Sequence, residues 1–132
     1  MEKLMSVLKV ATHNLQVVHR NLTGAGWFSD HELIAKYYKE LGEMTDDVIE
    51  IAMTFDFLEP DLETALEELS SLSGAPISNR EAFEYIQIIF LRLLDIFEDS
   101  KEGLPVDVTS KFEEYQYWLR KEANYKIAQR LK

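Results

Sequence analysis

Helix-breaking residues are scarce in this chain, and they are bunched. Three prolines and five glycines occur in 132 residues, and all but Gly42 fall at Gly24-Ala25-Gly26, Pro60, Gly74-Ala75-Pro76 and Gly103-Leu104-Pro105. Such clusters end helices rather than bend them, so the intervening segments are expected to be helical. The first, from about Glu2 to Leu22, places Leu4, Leu8, Ala11, Leu15, Val18 and Leu22 at three- and four-residue steps, the spacing of one buried helical face. The second is expected to start at a Ser29 or Asp30 cap, with Glu32 as capping-box partner, and to run to about Phe57. A short helix follows Pro60, from Asp61 to about Leu72, with Leu62, Leu66 and Leu69 on one side. The third long helix follows a Ser78 or Asn79 cap. It carries Phe83, Ile86, Ile89, Phe90, Leu93, Leu94 and Phe97, apolar nearly all round, and reads as the most buried. The last starts near Asp107-Val108-Thr109-Ser110 and packs Phe112, Tyr115, Leu119, Tyr125 and Ile127. No segment has strand alternation. One all-α domain over residues 1–132 is expected, a four-helix bundle of ferritin-like connectivity with a short extra helix between its second and third long helices.

Composition narrows the function. Hydrophobic residues make up 46% of the chain, enough to pack a core. Acidic side chains outnumber basic ones 24 to 14, for a net charge of -10, which disfavours DNA and anionic lipid and favours cations as small partners. With no cysteine, thiolate metal sites, disulfides and cysteine nucleophiles are excluded. The N-terminal segment is interrupted by Glu2, Lys3 and Lys9 and lacks a signal core. The most apolar run, Ile86 to Phe97, contains Gln87, Arg92 and Asp95 and is shorter than the ~20 residues of a membrane span. A cytoplasmic protein is expected.

Within this frame one constellation stands out. His19 and His31 lie twelve residues apart, Asp46 fifteen beyond His31, and Glu50 four beyond Asp46. Imidazoles with carboxylates suit a borderline divalent cation such as Fe(II) or Zn(II). Tyr37, Leu41, Met44, Val48, Ile51 and Phe55 form the core stripe of the second helix; Asp46 points nearly opposite, and Glu50 and His31 lie well off it. No Glu-x-x-His occurs, so an intrasubunit ferritin-type centre is disfavoured. Fifteen residues of helix span roughly 22 Å at ~1.5 Å per residue. One chain therefore cannot close the site, whereas a two-fold antiparallel dimer would unite two histidines of one subunit with two carboxylates of the other. Tyr38, Gly42, Ile49 and Met53 form a second, outward stripe beside Asp46, as an interface would.

Residues 19 to 52 resemble the Dps-type miniferritins. The family pattern of histidine, asparagine and glycine, then an aromatic near a second histidine, then Asp-x-x-x-Glu matches His19-Arg20-Asn21-Leu22-Thr23-Gly24, Trp27-Phe28, His31-Glu32 and Asp46 to Glu50. The short helix after Pro60 and the Asp107-Val108-Thr109 start resemble that family too. The resemblance implies a dodecameric homo-oligomeric shell that oxidises Fe(II) with hydrogen peroxide or dioxygen at inter-subunit ferroxidase sites and stores Fe(III) mineral inside. His19, His31, Asp46 and Glu50 would be the metal ligands, with Zn(II) a possible substitute ion.

The chain also departs from that pattern. Arg20 stands where the family usually has tryptophan, and Ala35 where a carboxylate follows the second histidine. Arg20 implies weaker iron binding and Ala35 a poor or absent second iron position, for which Asp47 is the substitute ligand. Ala123, Tyr125 and Lys111 depart from the family's last helix and pore. No lysine-rich N-terminal arm is present, so DNA binding is not expected. The competing reading is a ferritin-like bundle with a degraded metal site that acts as a protein-interaction module. His13, without partners, reads as a packed or surface residue, the aromatics of the last helix as core and interface, and Glu98-Asp99 as a solvated helix end.

Overall fold

The computed structural model describes all 132 residues, and 77% of them are helical. They group into two compact units, Met1–Ala82 and Phe83–Lys132.

In the first unit, α1 (Glu2–Asn21) packs along α2 (Trp27–Thr54), and the short α3 (Leu62–Glu68) lies on α1. The expected face of α1 is buried, from Leu4 through Leu8, Ala11 and Leu15 to Val18. Met5, Val7 and Val10 are buried as well. On α2 the core face holds Ile34, Tyr37, Leu41, Met44, Val48 and Ala52. Ile51 and Phe55 are only half-buried, because the step from Val48 that stays on the buried line is the four-residue one to Ala52. Gly42, Ile49 and Met53 face outward along a surface groove.

The ends of the helices correct the sequence reading at several points. α2 begins at Trp27, capped by the backbone of Gly26 at φ +75°, rather than at Ser29 or Asp30. Ser29 Oγ donates instead to the Gly26 carbonyl at 3.2 Å, and the Asp30 carboxylate accepts from the Asn79 side-chain amide. α3 starts where expected, with Asp61 Oδ1 accepting from the Thr64 amide at 2.8 Å, but it stops at Glu68, short of Leu72. The fully buried Asn14 takes over the next backbone groups: its Nδ2 donates to the Ser70 carbonyl at 2.9 Å and its Oδ1 accepts from the Leu72 amide at 3.0 Å. A side chain that satisfies the chain in this way removes the need for another helical turn. Strand structure was not expected, yet β1 (Leu22–Thr23) pairs in parallel with β2 (Ile77–Ser78).

The C-terminus of α2 closes with two backbone bonds, from Phe57 N to the Ala52 carbonyl and from Asp56 N to the Met53 carbonyl, both at 3.1 Å. This Schellman arrangement puts Asp56 in the left-handed region at φ +65°. An L-residue there is strained relative to glycine, and Asp56 is exposed. Asp56→Gly is therefore expected to stabilise the protein by about 0.5–1 kcal/mol, read as a higher urea midpoint at unchanged slope. A lower midpoint would show that the Asp56 side chain itself holds the cap.

In the second unit, the body of α4 (Asn79–Ser100) pairs with α5 (Val106–Lys121), which continues through a π-helical stretch at Glu122–Ile127 into a last turn at Ala128–Arg130. α4 opens with Ser78 as expected: its Oγ accepts from the Glu81 amide at 3.2 Å and donates to the Glu81 carboxylate at 3.0 Å. Phe90 meets Trp118 at 5.4 Å between ring centres, and Phe97 meets Phe112 edge-on at 5.2 Å. Gln87 donates to the Ala123 carbonyl at 3.0 Å, satisfying a carbonyl within the π-helical stretch. Two burial expectations are corrected here. α4 is not apolar-packed all round, since Ile88 and Leu91 reach solvent, and Tyr125 is exposed rather than packed. No helix is long and apolar enough to cross a membrane.

Candidate metal centre

The turn between α1 and α2 is held by contacts with Asn79. Its Nδ2 donates to the Ala25 carbonyl at 2.7 Å and to the Asp30 carboxylate. Gly24, at φ +118°, brings its backbone so close that a β-carbon there would lie 2.6 Å from Asn79 Oδ1. This turn sets the register of the two histidines, His19 in the last turn of α1 and His31 in the second turn of α2.

The two rings are locked reciprocally. His19 Nδ1 donates to the His31 carbonyl and His31 Nδ1 donates to the His19 carbonyl, each at 3.0 Å. A carbonyl can only accept, so both Nδ1 atoms carry the proton. In the neutral rings both Nε2 lone pairs are then free, the arrangement in which outer hydrogen bonds orient metal-binding imidazoles. The rings stack at 3.7 Å with 23° between planes, Trp27 stacks on His31 at 4.4 Å, and Tyr38 meets His19 edge-on at 5.2 Å. An imidazole lone pair lies in its ring plane, so in a stack this close to parallel the two lone pairs do not converge on a point between the rings. One ion held by both requires the stack to splay. The sequence marks Trp27 only as the aromatic preceding His31 and Tyr38 only as part of the outward stripe, neither as a ring packed on a histidine. The four-residue step from Trp27 to His31 was the available signal, whereas nothing in the sequence marks Asn79 as the clamp.

Burial, chiefly, holds the His19 imidazole below its ordinary value of 6.5; the His31 carbonyl opposes this, and the positive charges of His31, Arg20 and Lys39 add to it. The unfolded chain therefore binds this proton more readily than the folded one, so stability from His19 is complete above pH 6.5 and is lost as pH falls through 6.5 toward the folded value. Titration of the His19 ring followed by NMR is expected to give a midpoint below 6.5. A midpoint at or above it would mean that the ring is not held as described.

Asp46 and Glu50 are exposed on α2 and line a groove of about 770 Å³ together with Lys9, Lys39, Gly42 and Met53. Asp47, one position round the helix, is half-buried and does not line it. The chain thus brings the two histidines together and sets the two carboxylates side by side, but does not unite the pairs: no three His, Asp or Glu side chains of one chain converge as a metal site. Gly42 is informative about the groove. A β-carbon there would meet nothing nearer than Thr12 Cγ2 at 3.9 Å, so packing within the chain does not call for glycine, which costs a helix roughly 1 kcal/mol relative to alanine.

The chain matches no family model, no curated protein and no solved structure.

Proposed function

We propose that the protein is a Dps-like ferroxidase and iron-storage protein of ferritin-like bundle architecture. In this reading two chains meet antiparallel along their α2 grooves, and each of two equivalent sites takes His19 and His31 from one subunit and Asp46 and Glu50 from its partner. Fe(II) is the substrate. Each ion gives up one electron to hydrogen peroxide or dioxygen, and the carboxylates hold the harder Fe(III) product before it joins mineral inside a shell of such dimers, twelve chains in the resembling family. Asp47, adjacent to Asp46 in sequence but off the groove, would serve as a further oxygen donor only if its side chain swung toward the groove. Zn(II) fits the same nitrogen and oxygen donors without redox chemistry. The cytoplasm, where free Fe(II) is handled, is the compartment this activity suits.

The observation that carries the reading is the reciprocal Nδ1 lock of His19 and His31, which leaves the Nε2 atom of each neutral ring as an acceptor available to a metal. The dispensable glycine in the carboxylate-lined groove supports the second copy as the source of the remaining ligands. A second reading, a bundle whose degraded metal site serves protein interaction, draws on Arg20, whose charge is felt at His19 and would oppose a cation. Fe(II) oxidation by His19→Ala and Asp46→Ala chains, alone and mixed, separates the two.

A further inference from the structure

The unit Phe83–Lys132 presents two outward rows of opposite character. On α4, Ile88 and Leu91 are 64% and 38% exposed, and helical steps of four place exposed Glu84 before Ile88 and exposed Asp95 after Leu91. On α5 and its extension, Tyr117 and Tyr125 are 65% and 60% exposed, with exposed Lys121 midway between them and Arg120 beside it. One row is aliphatic between acids and the other aromatic around cations. The segregation extends beyond these residues. In a chain of net charge -10, the stretch from residue 120 to 132 holds Arg120, Lys121, Lys126, Arg130 and Lys132 against the single acid Glu122. Lys126 is taken up by Glu122 at 3.1 Å, and Arg130 sits over the Phe83 ring at 5.0 Å. Lys121 and Asp95 form no ion pair within the chain.

We propose that the α4 row of one copy docks on the α5 row of a second copy, with Asp95 against Lys121. Leu91, one turn before Asp95, then meets one of the two tyrosines that flank Lys121, while Ile88 extends the apolar contact beyond it. Exposed apolar side chains in a row with charges at the rim are the composition of a protein interface, and tyrosine is enriched there. The complementary charges select the register. A polyanion is the poorer occupant, because the rest of the chain repels it, whereas a second copy supplies a row of matching sign and size. This contact uses no residue of the histidine turn or the α2 groove and does not rest on the metal reading.

The test is the mass in solution by light scattering at low and high salt, for wild type, Lys121→Glu, Asp95→Lys, the double reversal and Ile88→Ser, with helicity checked by circular dichroism. Wild type is expected to exceed the single-chain 15.4 kDa and to fall in mass as salt rises. Each single reversal and Ile88→Ser should weaken the assembly by about tenfold or more, and the double reversal should restore it. A single-chain wild type at every concentration, or reversals without effect on mass, overturns the proposal. So does unchanged mass combined with lost retention on heparin, which would give the α5 row to a polyanion. Saturable Fe(II) binding persists in these variants if the metal reading holds. Its absence from an assembly that still responds to the reversals would sink that reading alone.

Discussion

Mixing two inactive variants is expected to restore Fe(II) oxidation to about a quarter of wild type, a fraction fixed by two-fold symmetry. In the proposed dimer His19→Ala would remove the imidazole that a site takes from one subunit, and Asp46→Ala the carboxylate it takes from the other, so either homodimer would have two defective sites. A heterodimer places both lesions in one site and leaves the other intact. Random association makes half of the dimers mixed, each with one good site of two. Alone, each variant should lose at least about tenfold to a hundredfold in oxidation rate, the scale on which disrupted metal environments fail. The measurement is the rate of Fe(III) appearance after subunits are mixed, dissociated and reassembled. Recovery near a quarter requires ligands from two chains. No recovery places all ligands in one chain or makes both residues structural, and variants as fast as wild type end the ferroxidase reading.

That experiment tests the part of the site that only partly shows in one chain. The helices were legible because the stripe on α1 and the clustered glycines and prolines are local signals, and local spacing dictates which face a helix buries. The pairing of His19 with His31 was foreseeable from their positions beside the same turn. Their stacking and reciprocal hydrogen bonds were not, because ring orientation depends on a turn closed by Asn79, far away in sequence. The ends of α3 and α2 escaped for the same reason: Asn14 and Asn79 supply hydrogen bonds from a distance that local cap rules assign to nearby Ser, Asp or Glu. Tyr125 and Leu91 fit a helical apolar pattern yet stay in solvent, since periodicity marks a face but not what covers it.

The turn that registers the histidines gives the second large expectation. Gly24→Ala should destabilise the protein by about 2–4 kcal/mol, combining the cost of an L-residue at strongly positive φ with a steric overlap. The two contributions can be separated, because the overlap involves one atom, Asn79 Oδ1, at 2.6 Å from the added carbon. That oxygen is itself buried without a hydrogen-bond partner, so its displacement loses no bond of its own, but it would carry the Nδ2 bonds to Ala25 and Asp30 with it. In an Asn79→Ala background the overlap is gone and only the backbone term remains. Gly24→Ala should then cost at least about 1 kcal/mol less, as neighbouring sites couple. Urea unfolding of the four proteins in this cycle measures the coupling. If Gly24→Ala is tolerated in wild type at under about 0.5 kcal/mol, the turn is free to relax, and with it the geometry that holds His19 against His31.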